Sequence, residues 1–301
     1  MTIREKLKTL KKETGCNLSL DELEYLNKHL GHLPTCLEVF VFDTVWSEHC
    51  SYKSSKPYLK TFFQLSNPDV WVGIGEDSGI IRLAEVNGKE WGLVVAHESH
   101  NHPSQVVPFE GAATGIGGIV RDVYCMGAEV IGVMDSLRFG KIDEHSLQII
   151  RGVIDGVGGY SNPLGVPNIG GDTYLHDGFK DNCLVNVIAI GIVERDRIIH
   201  SFVPKEVENE PYVLILVGKA TDSSGFGGAS FASADLDKHE QRKGAVQVPD
   251  PFLKRVLVAA NRECFDFVYK NKLKVAMKDL GAGGILGASS EITGKLSLIH
   301  I

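Results

Sequence analysis

The apolar residues of this chain keep a helical period at the N-terminus and then break into blocks. Leu23, Leu26 and Leu30 recur at helical spacing before Gly31, and Asp21 stands where it can cap a turn, so residues 1–35 are expected to be helical. From about residue 38 the blocks are separated by glycine-rich turns. Residues 91–96 (WGLVVA), 130–137, 185–193 and 212–217 (YVLILV) read as strands, the first and last of them buried, and 276–285 as a strand running into a glycine turn. Residues 111–127 read as a small-residue helix with a glycine-rich start. Helices are also expected over 146–160, with Ile149, Ile150, Val153 and Val157 apolar, and over 251–270, with Leu253, Val256, Leu257, Ala260 and Phe267. Residues 203–211 are polar, acidic and proline-flanked, as in a linker. This alternation predicts an α/β or α+β class.

Length sharpens the division. A chain of 301 residues suggests about two domains. Lysine plus arginine number 31 against 38 acidic residues, a net −7, so no general attraction to phosphate backbones is expected and nucleic acid is excluded as a partner. No run of ~18 apolar residues predicts a membrane helix. The opening MTIREKLKTLKKETGC lacks the apolar core of a secretory signal, and a cytoplasmic location is expected. The cysteines at 16, 36, 50, 125, 183 and 264 form no CxxC pair, and most are expected to be buried reduced thiols. GASFAS (228–233) and GASSEI (287–292) are alike but too short for a repeat.

The densest chemistry is His97-Glu98-Ser99-His100-Asn101-His102-Pro103, after the strand at 91–96. If the strand continues, Glu98, His100 and His102 share one side, which suits a metal, proton transfer or an anion. HExxH spacing is absent. The glycines from 111 to 118 either admit an anion to a helix start or pack a helix on a sheet. No GxxxxGK[ST] P-loop is present. Arg121-Asp122 is a surface pair or an anion-and-metal pair, and Asp279 precedes a glycine turn. Glu98, Asp122 and Asp279 together are hard oxygen ligands that favour magnesium over zinc. In WSEHCSYKSSK (46–56) two lysines and several hydroxyls suit phosphate contact. His49 beside Cys50 invites a cysteine-nucleophile reading, which adjacent positions on a strand would oppose.

WSEHCSYKSSK (46–56), ESHNHPS (98–104) and PFEGAATGIGGIVRDV (108–123) resemble the large, synthetase subunit of the phosphoribosylformylglycinamidine synthase family. GGDTY (170–174), DNCLVNVIAIG (181–191), GGASFAS (227–233), VQVPDPF (246–252) and DLGAGG (279–284) agree in order and approximate spacing, so the resemblance runs from about 37 to 295. It implies domains similar to those of aminoimidazole ribonucleotide synthetase, the first of two duplicated halves and incomplete. A helical segment is expected at 1–36, an N-terminal-type synthetase domain at 37–205 and the start of a C-terminal-type domain at 206–295. The implied reaction turns formylglycinamide ribonucleotide, ATP and ammonia into formylglycinamidine ribonucleotide, ADP and phosphate, a step of purine biosynthesis. A glutaminase subunit supplies the ammonia from glutamine, and a small third subunit joins them. By resemblance His49 and His100 are catalytic, with His100 as proton acceptor, and Tyr52 contacts ATP. Ser99, His100, Asn101, His102, Arg121 and Gln247 bind substrate. Glu98, Asp122 and Asp279 hold Mg2+.

Two departures stand out. Many family members carry an ATP-binding lysine two positions before the glutamate of ESHNHP, where this chain has Ala96. Similarity stops near Lys295, and the tail LSLIHI (296–301) resembles the in-frame translation of a sequencing transposase adapter, so it is expected to be non-native. The chain is therefore expected to be cut short, with a barrel-forming sheet edge left unpaired. The rival readings are a non-catalytic half that binds nucleotide or partner subunits, and an aminoimidazole ribonucleotide synthetase, selenophosphate or hydrogenase-maturation relative. WSEHCSYK and ESHNHPS argue against those relatives.

Overall fold

The computed structural model describes residues 1–61, 66–208, 210–220, 225, 227–232 and 243–293. The 296–301 tail and the end of GASFAS lie outside them.

The chain opens with α1 (Ile3–Thr14), α2 (Leu20–Leu30) and α3 (Cys36–Val45). Each starts in a reciprocal capping box, Thr2 with Glu5, Ser19 with Glu22 and Thr35 with Glu38. Ser19 caps α2 in place of the expected Asp21, because its hydroxyl accepts the Glu22 amide. Asp21 sits in the first turn and pairs with Arg4 at 3.6 Å. The block after residue 35 is helical too, since Val39 buries itself among Leu7, Leu10, Leu18 and Leu23. The short α4 (Glu48–Ser51) and α5 (Lys56–Leu59) follow.

Next come β1 (Val70–Val72), β2 (Gly79–Val86), β3 (Lys89–Ser99), α6 (Asn101–Val106), α7 (Pro108–Cys125), β4 (Glu129–Phe139), α8 (Glu144–Leu164), β5 (Asn168–Leu175) and β6 (Leu184–Glu194). Among the described residues these strands make one sheet in the order β1-β2-β3-β6-β4-β5. All neighbours are antiparallel except β4 and β5, which α8 connects as a parallel crossover. The β2–β3 hairpin turns on Asn87 and Gly88, at φ 53° and 76°, the left-handed pair that a type I′ turn requires. The main core lies between the sheet and α7 with α8, where Val94, Val187, Ala189, Ile116, Ile119 and Val153 are buried. Among the described residues nothing covers the opposite face, where Ile81, Val95 and Ile169 are exposed.

The remainder holds α9 (Gly228–Ala232), α10 (Pro251–Asn271) and α11 (Gly284–Ile292). Two strand expectations fail here. Residues 212–217 form no strand, and Val213 and Ile215 are 84% and 79% exposed, because no described neighbour pairs with them. In 276–285 Ala276 makes one isolated bridge to His200, and α11 begins at Gly284. α10 docks through Phe265 against Tyr124 and Ile199. Cys16, Cys125 and Cys183 are buried and Cys50 is half-buried, but Cys36 and Cys264 are exposed; all are free. Among the described residues no helix is long and apolar enough to cross a membrane.

Candidate functional site

β3 carries Val94, Ala96 and Glu98 on its helix-covered side, so alternation delivers a carboxylate into the layer beneath α7. That side chain fits because α7 has glycine opposite it. A Cβ on Gly118 would stand 2.7 Å from Glu98 Oε2, and one on Gly115 would stand 3.0 Å from His100 Cβ. The glycine run therefore lies inside α7, which starts earlier at Pro108, and it serves close packing; the expected glycine-rich helix start is not observed. Ser99 is the last strand residue, so His102 does not continue the face of Glu98.

The polar run then divides by task. Ser99 points to the other sheet face, where its hydroxyl donates to Asn186 Oδ1 at 2.5 Å. Asn101 Oδ1 accepts the Val185 amide at 2.8 Å and pins the start of α6 to β6. His102 meets the edge of Phe231. His97, Glu98, Ser99 and His100 line a cavity of about 1420 Å³, whereas Asn101 and His102 do not.

The same cavity gathers His49, Cys50, Tyr52, Arg121, Asp122, Gln247 and Asp279. His49 and Cys50 come from one turn of α4, both on the cavity wall. Burial raises the Cys50 thiol and Glu291 adds to it, so the thiol stays protonated and the cysteine-nucleophile reading is unsupported. Glu48 accepts both Ser54 and Ser55 amides and the Ser55 hydroxyl, which tie down the loop that carries Tyr52. Burial lowers His49, and it pushes His100 down to about 4. His100 is therefore neutral at pH 7, and among the described residues its Nδ1 has no partner.

The charges explain why these residues belong together. Burial pushes Glu98 up to about 7, against the pull of Arg121, with Asp279 adding repulsion. Burial and the Asp279 charge push Asp122 well above the carboxylate range. Asp279 stays low, because Arg121 and Lys278 outweigh its own burial. Arg121 Nη2 lies 3.3 Å from Asp279 Oδ2, so Arg121-Asp122 is not a surface pair. Among the described residues no three His, Cys, Asp or Glu side chains stand close enough to enclose a metal ion alone. Ala96 is 7% exposed on the covered side of β3, and among the described residues Lys56, Arg121 and Lys278 are the lysines and arginines on the cavity wall.

Sequence reasoning missed Glu76 and Asp77, on the loop between β1 and β2. The wholly buried Asp77 side chain holds the Lys278 ammonium and, at 3.0 Å, the Asp279 amide. Lys278 also reaches Asp279 at 3.4 Å and Glu291 at 2.9 Å. Glu76 accepts the Ser201 amide at 2.8 Å and pairs with His200 at 3.0 Å. The pair of acids between glycines in GIGEDSG (73–79) was the available signal. Gln247 packs against Gly225, where a Cβ would lie 2.5 Å from its Cγ and φ is +75°.

Three family models match: the formylglycinamide ribonucleotide amidotransferase linker domain over 7–53, the AIR synthase related N-terminal domain over 75–193 and its C-terminal domain over 212–298. Phosphoribosylformylglycinamidine synthase subunit PurL of Methanothrix thermoacetophila is 48% identical over 287 residues, which is 93% of this chain and 37% of that protein. The Thermococcus kodakarensis subunit is 42% identical, over 91% of this chain and 37% of its own length. The solved T. maritima PurL complexed with FGAR superposes with a TM-score of 0.72 at 35% identity, covering 92% of this chain and 42% of that one. T. maritima PurL complexed with ATP gives 0.67 at 32% identity, over 92% of this chain and 40% of that one. The chain thus spans well under half the length of these relatives. Linker, N-terminal and C-terminal domains occur in one order along one chain, and over that part of its length the chain belongs to the family of the large subunit of phosphoribosylformylglycinamidine synthase.

Proposed function

We propose that this chain contributes one half of an ATP-dependent, amidine-forming ligase site acting on formylglycinamide ribonucleotide, in the cytoplasm. The observation that carries the reading is the buried set of Glu98, Asp122 and Asp279 gathered around Arg121 on one cavity wall. The relatives solved with FGAR and with ATP support the two ligands. The γ-phosphoryl group of ATP passes to the substrate amide oxygen, releasing ADP. Ammonia then adds at the activated carbon and phosphate leaves. Both steps need alignment and exclusion of water more than covalent help from the protein.

The donor set fits magnesium. The Asp279 charge adds to the burial that raises Glu98 and Asp122, and a hard dication would relieve that repulsion. Magnesium commonly takes one or two protein carboxylates and completes its shell with phosphates and water, which suits a set that does not close on itself. Glu98, Asp122 and Asp279 would hold it, and when bound it neutralises charge on the transferring phosphoryl group. Neutral His100 takes a proton from the attacking ammonia, with His49 beside it. Tyr52 contacts ATP, and Ser99, Arg121 and Gln247 hold the substrate. Asn101 and His102 act on substrate through the shape of the β3–α6 turn. Ammonia would come from a glutaminase subunit, with a small third subunit alongside; the T. maritima relative is also solved as PurLQS.

One observation favours a binding half without turnover: the exposed apolar stretch at 212–217 leaves the second domain open. ADP release with magnesium, ATP and ammonium, with and without formylglycinamide ribonucleotide, separates the readings. Ribonucleotide-dependent ADP that Asp279→Asn abolishes supports the ligase. Ligand binding without such ADP supports the binding half, and no binding of either ligand would sink both.

A further inference from the structure

Asp279 comes from a stretch that no sheet holds. Among the described residues 276–283 make one isolated bridge, Ala276 with His200, beside which Met277 donates its amide to the His200 carbonyl at 3.1 Å. A closed circuit of contacts sets its register against α7 instead. Ile199 donates its amide at 3.1 Å to the carbonyl of Met126, the residue after α7. Two residues on, the Ser201 hydroxyl accepts the Asp77 amide at 3.2 Å. Asp77 Oδ2 accepts the Asp279 amide at 3.0 Å, and Arg121 of α7 closes the circuit on Asp279 Oδ2 at 3.3 Å. The other Asp279 oxygen faces a competitor. Lys278 Nζ stands 3.4 Å from Oδ1, longer than the ~2.7–2.9 Å of a charge-assisted hydrogen bond, because its tightest contact is Asp77 Oδ1. Glu291 takes a further share of the ammonium at 2.9 Å. The Asp77 side chain is wholly buried and Lys278 is 14% exposed, so water screens this pair little. Asp77 does not line the cavity, so whatever it does for a ligand there passes through Lys278 and Asp279, which do.

We propose that Asp77 is a positioning residue: it fixes the Asp279 backbone and draws Lys278 off Asp279 Oδ1, which leaves that oxygen available to a divalent cation. The inference rests on the proposed magnesium role of Asp279. Without the Asp77 charge Lys278 closes on Asp279, and an ammonium and a dication then contend for one carboxylate oxygen.

The test uses the whole chain, with Mn2+ as probe and the electron paramagnetic resonance signal of the free ion as readout. Asp77→Asn is the same size and keeps an oxygen for the Asp279 amide, but it lacks the charge that holds Lys278. It is expected to weaken Mn2+ binding roughly fivefold or more, the scale of one charged contact. The deficit should persist from about 0.1 to about 0.5 M KCl, because salt screens a contact inside the fold far less than a distant charge. Adding Lys278→Gln removes the competitor and should return Mn2+ affinity to within about twofold of the unsubstituted chain, the coupling expected of neighbours. Mere loss of structure at Asp77 would not recover in this way. In the metal-free crystal structure of Asp77→Asn, Lys278 Nζ should lie about 2.8 Å from Asp279 Oδ1. Mn2+ binding that Asp279→Asn weakens and Asp77→Asn leaves unchanged overturns the positioning role and spares the metal reading. So does a deficit that salt erases or Lys278→Gln fails to relieve, and so does a Lys278 that turns to Glu291 instead. No Mn2+ binding by the unsubstituted chain, or binding indifferent to Asp279→Asn, removes the metal reading and the role of Asp77 with it.

Discussion

WGLVVA and YVLILV are nearly the same kind of word, and the molecule treats them oppositely. Residues 91–96 lie inside β3, hydrogen-bonded to β2 on one side and β6 on the other, with Val94 wholly buried beneath α7. Residues 212–217 have no strand partner among the described residues and present Val213 and Ile215 to solvent. An apolar run states a demand for burial, and only neighbours can meet it. The region from 70 to 199 meets the demand within itself. The later region rests on the first through α10 and through a polar clasp at Asp77 and Lys278.

The largest expected effect is on that clasp. Lys278→Met would strand the buried Asp77 carboxylate, and removing one partner of a buried pair costs roughly 3–5 kcal/mol. Limited proteolysis should then cut the region after 200 at least tenfold faster, while the sheet core melts nearly as before. Equal loss of both regions would show that they fold as one unit. Next comes a matched pair of truncations. Ile119→Ala, in the wholly buried core, should cost about 2–5 kcal/mol in urea unfolding, and Ile215→Ala less than about 0.5. A comparable cost at Ile215 would mean the stretch is covered in solution. The remaining possibility is cover by another copy. Ile215→Lys should reduce self-association in sedimentation velocity, since an exposed apolar strand is an adhesive edge.

The division of legibility follows the same line. α2, α7, α8, α10, β3, β4 and β6 were readable because each carries its own period and buries its apolar face locally. β2 was missed although Asn87-Gly88 marks its hairpin, because polar and apolar residues scarcely alternate in RLAEV (82–86). α3 was missed because an apolar block such as CLEVFVF (36–42) has no period to distinguish helix from strand, and the capping box of Thr35 and Glu38 was the better signal. The cavity set was readable as residues: Glu98, His100, Arg121, Asp122, Gln247 and Asp279 all reach it. The Asp77–Lys278 contact joins positions 201 apart, and no local pattern announces it. The roles of Asn101 and His102 in this fold depended on where β3 stops, which the hydrophobic pattern does not mark.

The smallest effect concerns acid, and it separates a loop held by one carboxylate from a stretch held by nothing described. Glu48 accepts hydrogen bonds from the Ser54 hydroxyl and amide and from Ser55, which lower it from an ordinary 4.5 to about 2. A carboxylate lowered in the folded state adds stability above its unfolded value. That stability fades as pH falls from about 4.5 toward 2. The residue is partly exposed and its bonds lie near the surface, so the effect is local and modest. Amide exchange, corrected for its intrinsic pH dependence, should show Ser54 and Ser55 protected at pH 6 and progressively released below 4.5. Residues 212–217 should exchange freely at both ends of that range. Glu48→Gln should remove the pH response of the two serines, because no proton is then left to bind. Protection of Ser54 and Ser55 that is equal at pH 6 and pH 3 would instead mean that packing holds the loop, and Tyr52 would owe its place on the cavity wall to α4 rather than to Glu48.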